Sequence, residues 1–367
     1  MRVLIVKVSS LGDVIHTLPA VTDASRARRG LRFDWVVEEA FTEIPAWHPA
    51  VDKVIPVAFR RWRKHPFKTW RSGEYAAFRD NLKQQHYDLV IDAQGLLKSG
   101  LISRIARGLT IGLSNRTIRE PLATLFYNVK YAVPWQQHAV ERVRDLFSRA
   151  FNYTLDHQVC DYGLDTRRLR AASAALAPGA RPYLLFLHGT SWESKLWPLP
   201  YWQELARLAN ANGYDVKVLW GNDEEFSRAQ AIAGASGNVQ VLDRQSLGAI
   251  AGLLLHSAGA VAVDTGLAHL AAALTVPTVS LYGASDPTRT GTFGRRQRHL
   301  RSPLACAPCR KRLCTYEGAA LEDECAGRRF TVSPACFRAQ PPALVWQQLA
   351  DLIGGGPGTL DGLFYAR

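Results

Sequence analysis

Short apolar runs recur along the chain, each closed by a small or polar turn and followed by a longer amphipathic stretch. In the first half the runs are RVLIVKV, FDWVVEE, KVIPVAF, YDLVIDAQ and LTIGLS. In the second half they are PYLLFLHG, YDVKVLWG, VQVLD, GAVAVDTG and TVSLYG. Between them lie LPAVTDASRARR, PYWQELARLANANG, LGAIAGLLLHSA and LAHLAAAL, which read as helices. Strands that are apolar at nearly every position are buried on both faces. Their alternation with helices predicts an α/β chain of parallel sheets covered on each side.

The alternation breaks once, over residues 152–182. There NYTLDHQVCDYGLDTRRLRAASAALAPGARP has no strong apolar strand and ends in a Pro- and Gly-rich turn. The linker is expected in its later part, between Ala177 and Pro182. A chain of 367 residues also exceeds what one ordinary core organises. The reading is two Rossmann-like domains, 1–178 and 179–345, with a cleft between them and residues 346–367 as a C-terminal helix and glycine-rich tail. Open parallel sheets bind ligands beyond the carboxyl ends of their strands, so the loops after strands are where chemistry is expected.

Composition narrows the partners. Hydrophobic residues make up 47% and charged residues 21%, the balance of a globular protein. The net charge is +13 and the pI about 9.7, which favours an anionic partner: nucleic acid, acidic lipid or a phosphorylated substrate. No RNA-binding signature, helix-turn-helix or aromatic-and-basic repeat is present, so no nucleic-acid partner is expected. The apolar stretch of MRVLIVKVSS is brief and broken by Lys7, unlike a signal peptide, and no run is long enough to span a bilayer. A cytoplasmic protein is expected.

Several loops after strands carry candidate chemistry. KVSSLGDVIHTLP places Asp13 where a helix begins, either as its N-cap or as a carboxylate held at a cleft. HGTSWESKLWP offers Thr190, Ser191 and Lys195, which together suit a diphosphate. WGNDEE offers Glu224 or Glu225 as an acceptor for a ribose diol, or simply as acidity at a helix start. In VAVDTGLAHLAAAL, Asp264 ends a strand, Thr265 and Gly266 turn, and a helix begins at once, with His269 near its start. Bare helix amides form an anion site there. The three loops read as one nucleotide-diphosphate site. There is no GxxxxGK[ST] and no GxGxxG after the first strand, which argues against a P-loop NTPase and an NAD enzyme. In the first half, FRRWRKHPFK crowds Arg60, Arg61, Arg63, Lys64 and Lys68 around Trp62 directly after a strand. Arginine forks there suit an acidic acceptor. DAQGLLKSG adds Asp92, Gln94 and Lys98 on the same side, and TIREP adds Arg119.

The segments RVLIVKVSSLGDVIHTLPA, FDWVVEE, RRWRK, VIDAQGLLKSGL, REPLATLFYN, QQHAVERVRDLF and VDTGLAHLAAAL together resemble the lipopolysaccharide heptosyltransferases, closest to the members that add the first inner-core heptose. The resemblance implies a GT-B fold, with a C-terminal helix returning to the first domain. It implies inverting transfer of L-glycero-D-manno-heptose from ADP-heptose to a Kdo sugar of Kdo-lipid A, with no cofactor and no metal ion. By the same resemblance Asp13 matches the catalytic base, Lys195 the lysine on the donor diphosphate, and Glu225 the acid near the adenosine ribose. Asp264, Thr265, Gly266 and His269 match the donor loop; Arg60, Arg61, Arg63 and Lys64 match the acceptor-binding segment. A lipid-anchored acceptor further implies peripheral contact with the inner membrane on its cytoplasmic face, assisted by basic and aromatic residues near Trp62 and Trp70.

One segment departs from that pattern. CAPCRKRLCTYEGAALEDECAGRRFTVSPAC gathers five of the six cysteines, apart from Cys160, and is reminiscent of members that add the second heptose. Cys306, Cys309, Cys314 and Cys325 could supply four zinc ligands, but their spacing is not that of a standard zinc knuckle, and free thiols or local disulfides are the plainer expectation. Two other classes remain as alternatives: a nucleotide-sugar epimerase on the same fold, and a non-enzymatic basic protein of membrane surfaces.

Overall fold

The computed structural model describes residues 1–176 and 179–355, apart from the side chains of Lys68, Trp70 and Leu176. It divides into two compact units, the first ending at Asp165 and the second beginning at Thr166.

The first unit is built on β1 (Arg2–Val6), β2 (Arg32–Glu38), β3 (Val51–Val57), β4 (His86–Asp92), β5 (Arg107–Leu113) and β6 (Val129–Tyr131). The order is β3-β2-β1-β4-β5-β6, with every neighbouring pair parallel. Val3, Leu4, Ile5 and Val6 of β1 are fully buried, as a central strand covered on both faces requires. Successive strands run outward from β1 in one direction, then the chain returns to place β4 on its other side. That reversal lies between β1 and β4.

The second unit repeats the plan with β7 (Tyr183–Leu187), β8 (Asp215–Val218), β9 (Val239–Val241), β10 (Gly259–Val263), β11 (Thr278–Tyr282) and β12 (Gln297–Arg301). The order β12-β11-β10-β7-β8-β9 puts its reversal between β7 and β10. Its core gathers Phe186, Trp197, Tyr201 and Trp202 around the sheet. Thus each unit has the doubly wound order read from the sequence.

Four details differ from the sequence reading. The unit boundary falls at 165/166 and not after residue 178. Helix Thr166–Ala172 and the 3-10 turn Ala174–Leu176 pack against helix Leu247–His256, whose apolar sequence leaves a face to cover. Residues 177 and 178, within the expected linker, lie outside the described residues. The last helix, Pro342–Ile353, starts before the expected boundary at 346 and packs into the second unit, not the first, because Val345, Leu349 and Leu352 are buried in that core. The tail 356–367 lies outside the described residues. Finally, β6 and β12 were not visible as apolar runs. β6 has only three residues, and β12 reads QRHLR; both are edge strands with one neighbour each. A hairpin of β13 (Glu322–Cys325) and β14 (Arg328–Thr331) also lies inside the cysteine-rich segment. It turns on Ala326 and Gly327, both in the left-handed region that tight two-residue hairpins demand.

One buried cation fastens the first unit. Arg144, 1% exposed, pairs with Asp23 at 2.7 Å and Glu141 at 2.6 Å and donates to the carbonyls of Asp156 and Val159. It ties helix Leu18–Ala27 to helix Ala139–Phe151 and to the loop that follows. Removing one partner from a buried ion cluster strands the others in a poor solvent. Arg144→Ala is expected to lower the unfolding free energy by about 3–5 kcal/mol, read by urea denaturation. A loss below about 1 kcal/mol, the scale of an exposed pair, would contradict this role.

Candidate active site

In the first unit, the loop after β1 carries Asp13. Ser10, not Asp13, is the N-cap of helix Leu11–Ile15, and Asp13 is its third residue. Asp13 Oδ2 accepts hydrogen bonds from the Ser10 amide and the Ser10 hydroxyl, each at 2.8 Å, in the manner of a capping box. Oδ1 faces the Lys7 ammonium at 3.9 Å, and the carboxylate is 43% exposed. The N-cap reading of Asp13 is thus corrected: from the third helical position one oxygen fastens the helix start, while the carboxylate stays partly exposed.

The frame around Asp13 comes from β4, the strand across the reversal. Lys7 is buried and donates from Nζ to the Ala93 carbonyl at 2.9 Å. Burial lowers its pKa, while Asp13 and Asp92 pull it upward. Gln94 Oε1 accepts from the amides of Val8 and Ser9, and its Nε2 donates to the Ser9 carbonyl. Asp92, fully buried, accepts from Ser99, Tyr127 and the amides of Gln94 and Gly95. Burial is the largest influence on Asp92 and raises its pKa, which the hydrogen bonds oppose. Gln94, read above as an acceptor ligand, is thus a brace for the loop that carries Asp13.

A cavity of about 650 Å³ opens in the same unit, lined by Ser9, Glu38, Arg60, Trp62, Arg63 and Lys98 among others. Glu38 is 2% exposed and accepts from the Arg60 amide, fixing the start of helix Phe59–Lys64. Arg60 lies over the Phe41 ring, and Lys98 over the Phe59 ring. Three of the seven expected acceptor residues, Arg60, Arg63 and Lys98, therefore line one basic, aromatic-walled cavity. Arg61 does not: its guanidinium is clasped by Glu39 and Glu74, carboxylates the motif did not reveal. Lys64 and Arg119 are exposed outside the lining. Trp62 is also reassigned: it is 9% exposed, packs on Phe59, Tyr75 and Phe78, and donates to Glu74. The side chains of Lys68 and Trp70 lie outside the described residues.

In the second unit, the loops after β7 and β10 meet across the reversal. Lys195 Nζ stands 2.5 Å from Asp264 Oδ2, with Lys195 also 4.3 Å above the Trp192 ring. Thr190 donates its hydroxyl to the Asp264 carbonyl at 3.1 Å. Thr265 is the N-cap of helix Gly266–Ala273, whose first amides have no partner within the helix. His269 is buried in that helix. Glu225, after β8, belongs to the same cluster: its carboxylate accepts from the Gly221 amide at 2.7 Å and lies where any side chain at Gly189 would collide with it. Glu224, one residue earlier on the same helix, is exposed. Ser191 is exposed on the same loop. A lysine, helix amides and an acid on adjoining loops form a site for an anion carrying a diol.

The zinc reading of Cys306, Cys309, Cys314 and Cys325 fails. Cys325 is buried in the core, whereas Cys306, Cys309, Cys314 and Cys336 line a separate cavity of about 350 Å³. Burial pushes the Cys325 and Cys336 thiols up to about 11 and about 12. Among the described residues no group of three or more His, Cys, Asp or Glu side chains is arranged to hold a metal ion.

Two doubly wound sheets, one presenting a framed carboxylate beside a basic cavity and the other a diphosphate-type anion site, define a glycosyltransferase of the GT-B class. Residues 75–320 match the model of glycosyltransferase family 9 (heptosyltransferase), and the chain belongs to that family. It is 52% identical over 354 residues to lipopolysaccharide heptosyltransferase 1 of Pseudomonas aeruginosa, covering 96% of this chain and 98% of the relative. E. coli heptosyltransferase WaaC, solved with ADP, superposes with a TM-score of 0.77 at 46% identity over 83% of this chain and 94% of that one. The same enzyme solved with ADP-2-deoxy-2-fluoro heptose gives a TM-score of 0.75. E. coli lipopolysaccharide heptosyltransferase 2 is 31% identical over 128 residues, which cover 33% of this chain and 36% of that one.

Three histidines in these units are held neutral. Burial brings His48, His188 and His299 down to about 4. Each binds a proton more readily in the unfolded chain, where the ordinary value is about 6.5. Their contribution to stability is therefore complete above about pH 6.5 and is lost as pH falls toward 4. Melting temperatures measured between about pH 8 and pH 4 should hold level and then drop across that window. A flat profile through it would contradict the assignment.

Proposed function

We propose that this chain transfers L-glycero-D-manno-heptose from ADP-heptose to Kdo of Kdo-lipid A, with inversion, as the first heptose addition of the lipopolysaccharide inner core. The observation that carries the reading is the 52% identity to a heptosyltransferase 1 across nearly the whole of both chains. The sequence match to a heptosyltransferase 2 spans only a third of this chain, at 31% identity. The cysteine segment was thus the weaker guide to the acceptor.

In the proposed mechanism the second unit holds the donor. Lys195 and the first amides of helix Gly266–Ala273 take the diphosphate, and Glu225 accepts from the ribose diol. Asp264 holds Lys195 in place until phosphate oxygens compete for it. The first unit holds the acceptor in the basic cavity, where Arg60, Arg63 and Lys98 suit its carboxylates and phosphates. The Kdo hydroxyl oxygen attacks the anomeric carbon of the heptose. The bond from that carbon to the diphosphate oxygen breaks, and its electron pair leaves with ADP. The hydroxyl proton passes to Asp13. A carboxylate is a weak base toward an alcohol, so the proton moves late, once the anomeric centre has oxocarbenium character. The lipid-linked acceptor places the protein at the cytoplasmic face of the inner membrane. Among the described residues no helix is long and apolar enough to cross a membrane.

ADP release from ADP-heptose, in buffer with EDTA, tests the reading. Release is expected with Kdo-lipid A; release only when the acceptor already carries one heptose would assign the second transfer instead. Lys195→Ala is expected to lower kcat by about 10²–10³ and to weaken ADP binding in calorimetry, as loss of a preorganised cation does. Unchanged ADP affinity would remove Lys195 from the donor site.

A further inference from the structure

In the first unit, helix Leu97–Ile105 packs against the 3-10 turn Pro121–Phe126. Gly100 allows the close approach, since a side chain there would collide with the Phe126 ring. The two elements are also joined where the Leu97 amide donates to Glu120 and the Glu120 amide to the Gly95 carbonyl. Their outer faces are unusually apolar. Leu97 and Leu101, one helical turn apart, are 41% and 49% exposed. Leu122 and Leu125, which eclipse in a 3-10 turn, are 65% and 77% exposed, while Ala123 and Thr124 between them are buried.

Isolated surface leucines need no explanation; four on two packed elements of one unit do. Their setting says what covers them. Residues 97–126 carry five Lys or Arg and a single acid, Glu120, whose carboxylate already accepts from the backbone. Exposed leucines beside positive charges that form no salt bridge among the described residues match an anionic lipid surface, where acyl chains receive the leucines and headgroups the cations. The helix that carries Leu97 and Leu101 also carries Lys98, which lines the cavity.

We infer that the leucines at 97, 101, 122 and 125 form the surface by which the protein docks on an anionic bilayer. This rests on the proposed function in one respect, that the acceptor is lipid-anchored. Of the aromatic residues expected at the membrane from sequence, Trp62 is buried and the Trp70 side chain lies outside the described residues.

Co-sedimentation with vesicles tests the inference. The wild-type chain is expected to bind phosphatidylglycerol-containing vesicles and not pure phosphatidylcholine vesicles. Leu122→Ser with Leu125→Ser should weaken that binding by about tenfold or more, the scale of two leucines withdrawn from an acyl boundary. ADP release with a water-soluble Kdo acceptor lacking acyl chains should be unchanged in the same variant. Equal vesicle binding by variant and wild type, or equal binding of the wild type to both vesicle types, would overturn the inference. So would a wild-type dimer that the variant abolishes, since a second copy would then be the occupant. If the double variant loses soluble-acceptor turnover, Leu125→Ser alone decides by the same readouts. Anionic-vesicle binding with no turnover of either acceptor would leave this surface standing and overturn the functional reading; turnover without vesicle binding would do the reverse.

Discussion

The site depends on one topological constraint: in each unit the strand order reverses beside the first strand. Parallel strands buried on both faces must be joined by helices above and below the sheet. Where the winding changes direction, the loops leaving two neighbouring strands diverge to opposite faces and leave a crevice. In the first unit that place lies between β1 and β4, and it holds Asp13 with Lys7, Ala93 and Gln94. In the second it lies between β7 and β10, and it holds Thr190 and Lys195 with Asp264 and Thr265. One architectural rule, applied twice, positions both halves of the chemistry.

Around each crevice a set of buried and half-buried groups holds the loops in place. Asp92, Gln94 and Lys7 are engaged by backbone and by one another, which fixes the loop after β1 while Asp13 stays open. In the second unit Asp264 plays the supporting part for Lys195, and Gly189 and Gly221 make room and a donor for Glu225. Rigid support of this kind holds polar groups in place without reorganisation, which is what the proposed roles of Asp13 and Lys195 require.

Much of this was legible in the sequence because buried parallel strands write themselves as apolar runs. All ten runs became strands, and the loops after them held Asp13, Lys195, Glu225 and Asp264. Two of the four edge strands of the six-stranded sheets, β6 and β12, were illegible because β6 is three residues and QRHLR carries two arginines, whereas the edge strands β3 and β9 showed as apolar runs. The basic run RRWRK misled for a different reason. A motif gives charges but not their partners, so Arg61, neutralised by Glu39 and Glu74, looked like its neighbours Arg60 and Arg63. The same limit hid the burial of Trp62 and the brace formed by Gln94. The exposure of the leucines on helix Leu97–Ile105 was not legible either, since periodicity does not say which apolar face is covered.

The central claim is that the carboxylate at the first reversal is the base that drives transfer. Single-turnover ADP release by Asp13→Ala, measured at saturating ADP-heptose and Kdo-lipid A, tests it most directly. The account predicts a rate lower by about a hundredfold or more, with ADP affinity and unfolding free energy close to wild type. Turnover within a few fold of wild type would contradict it and leave Asp13 with only its hold on Ser10.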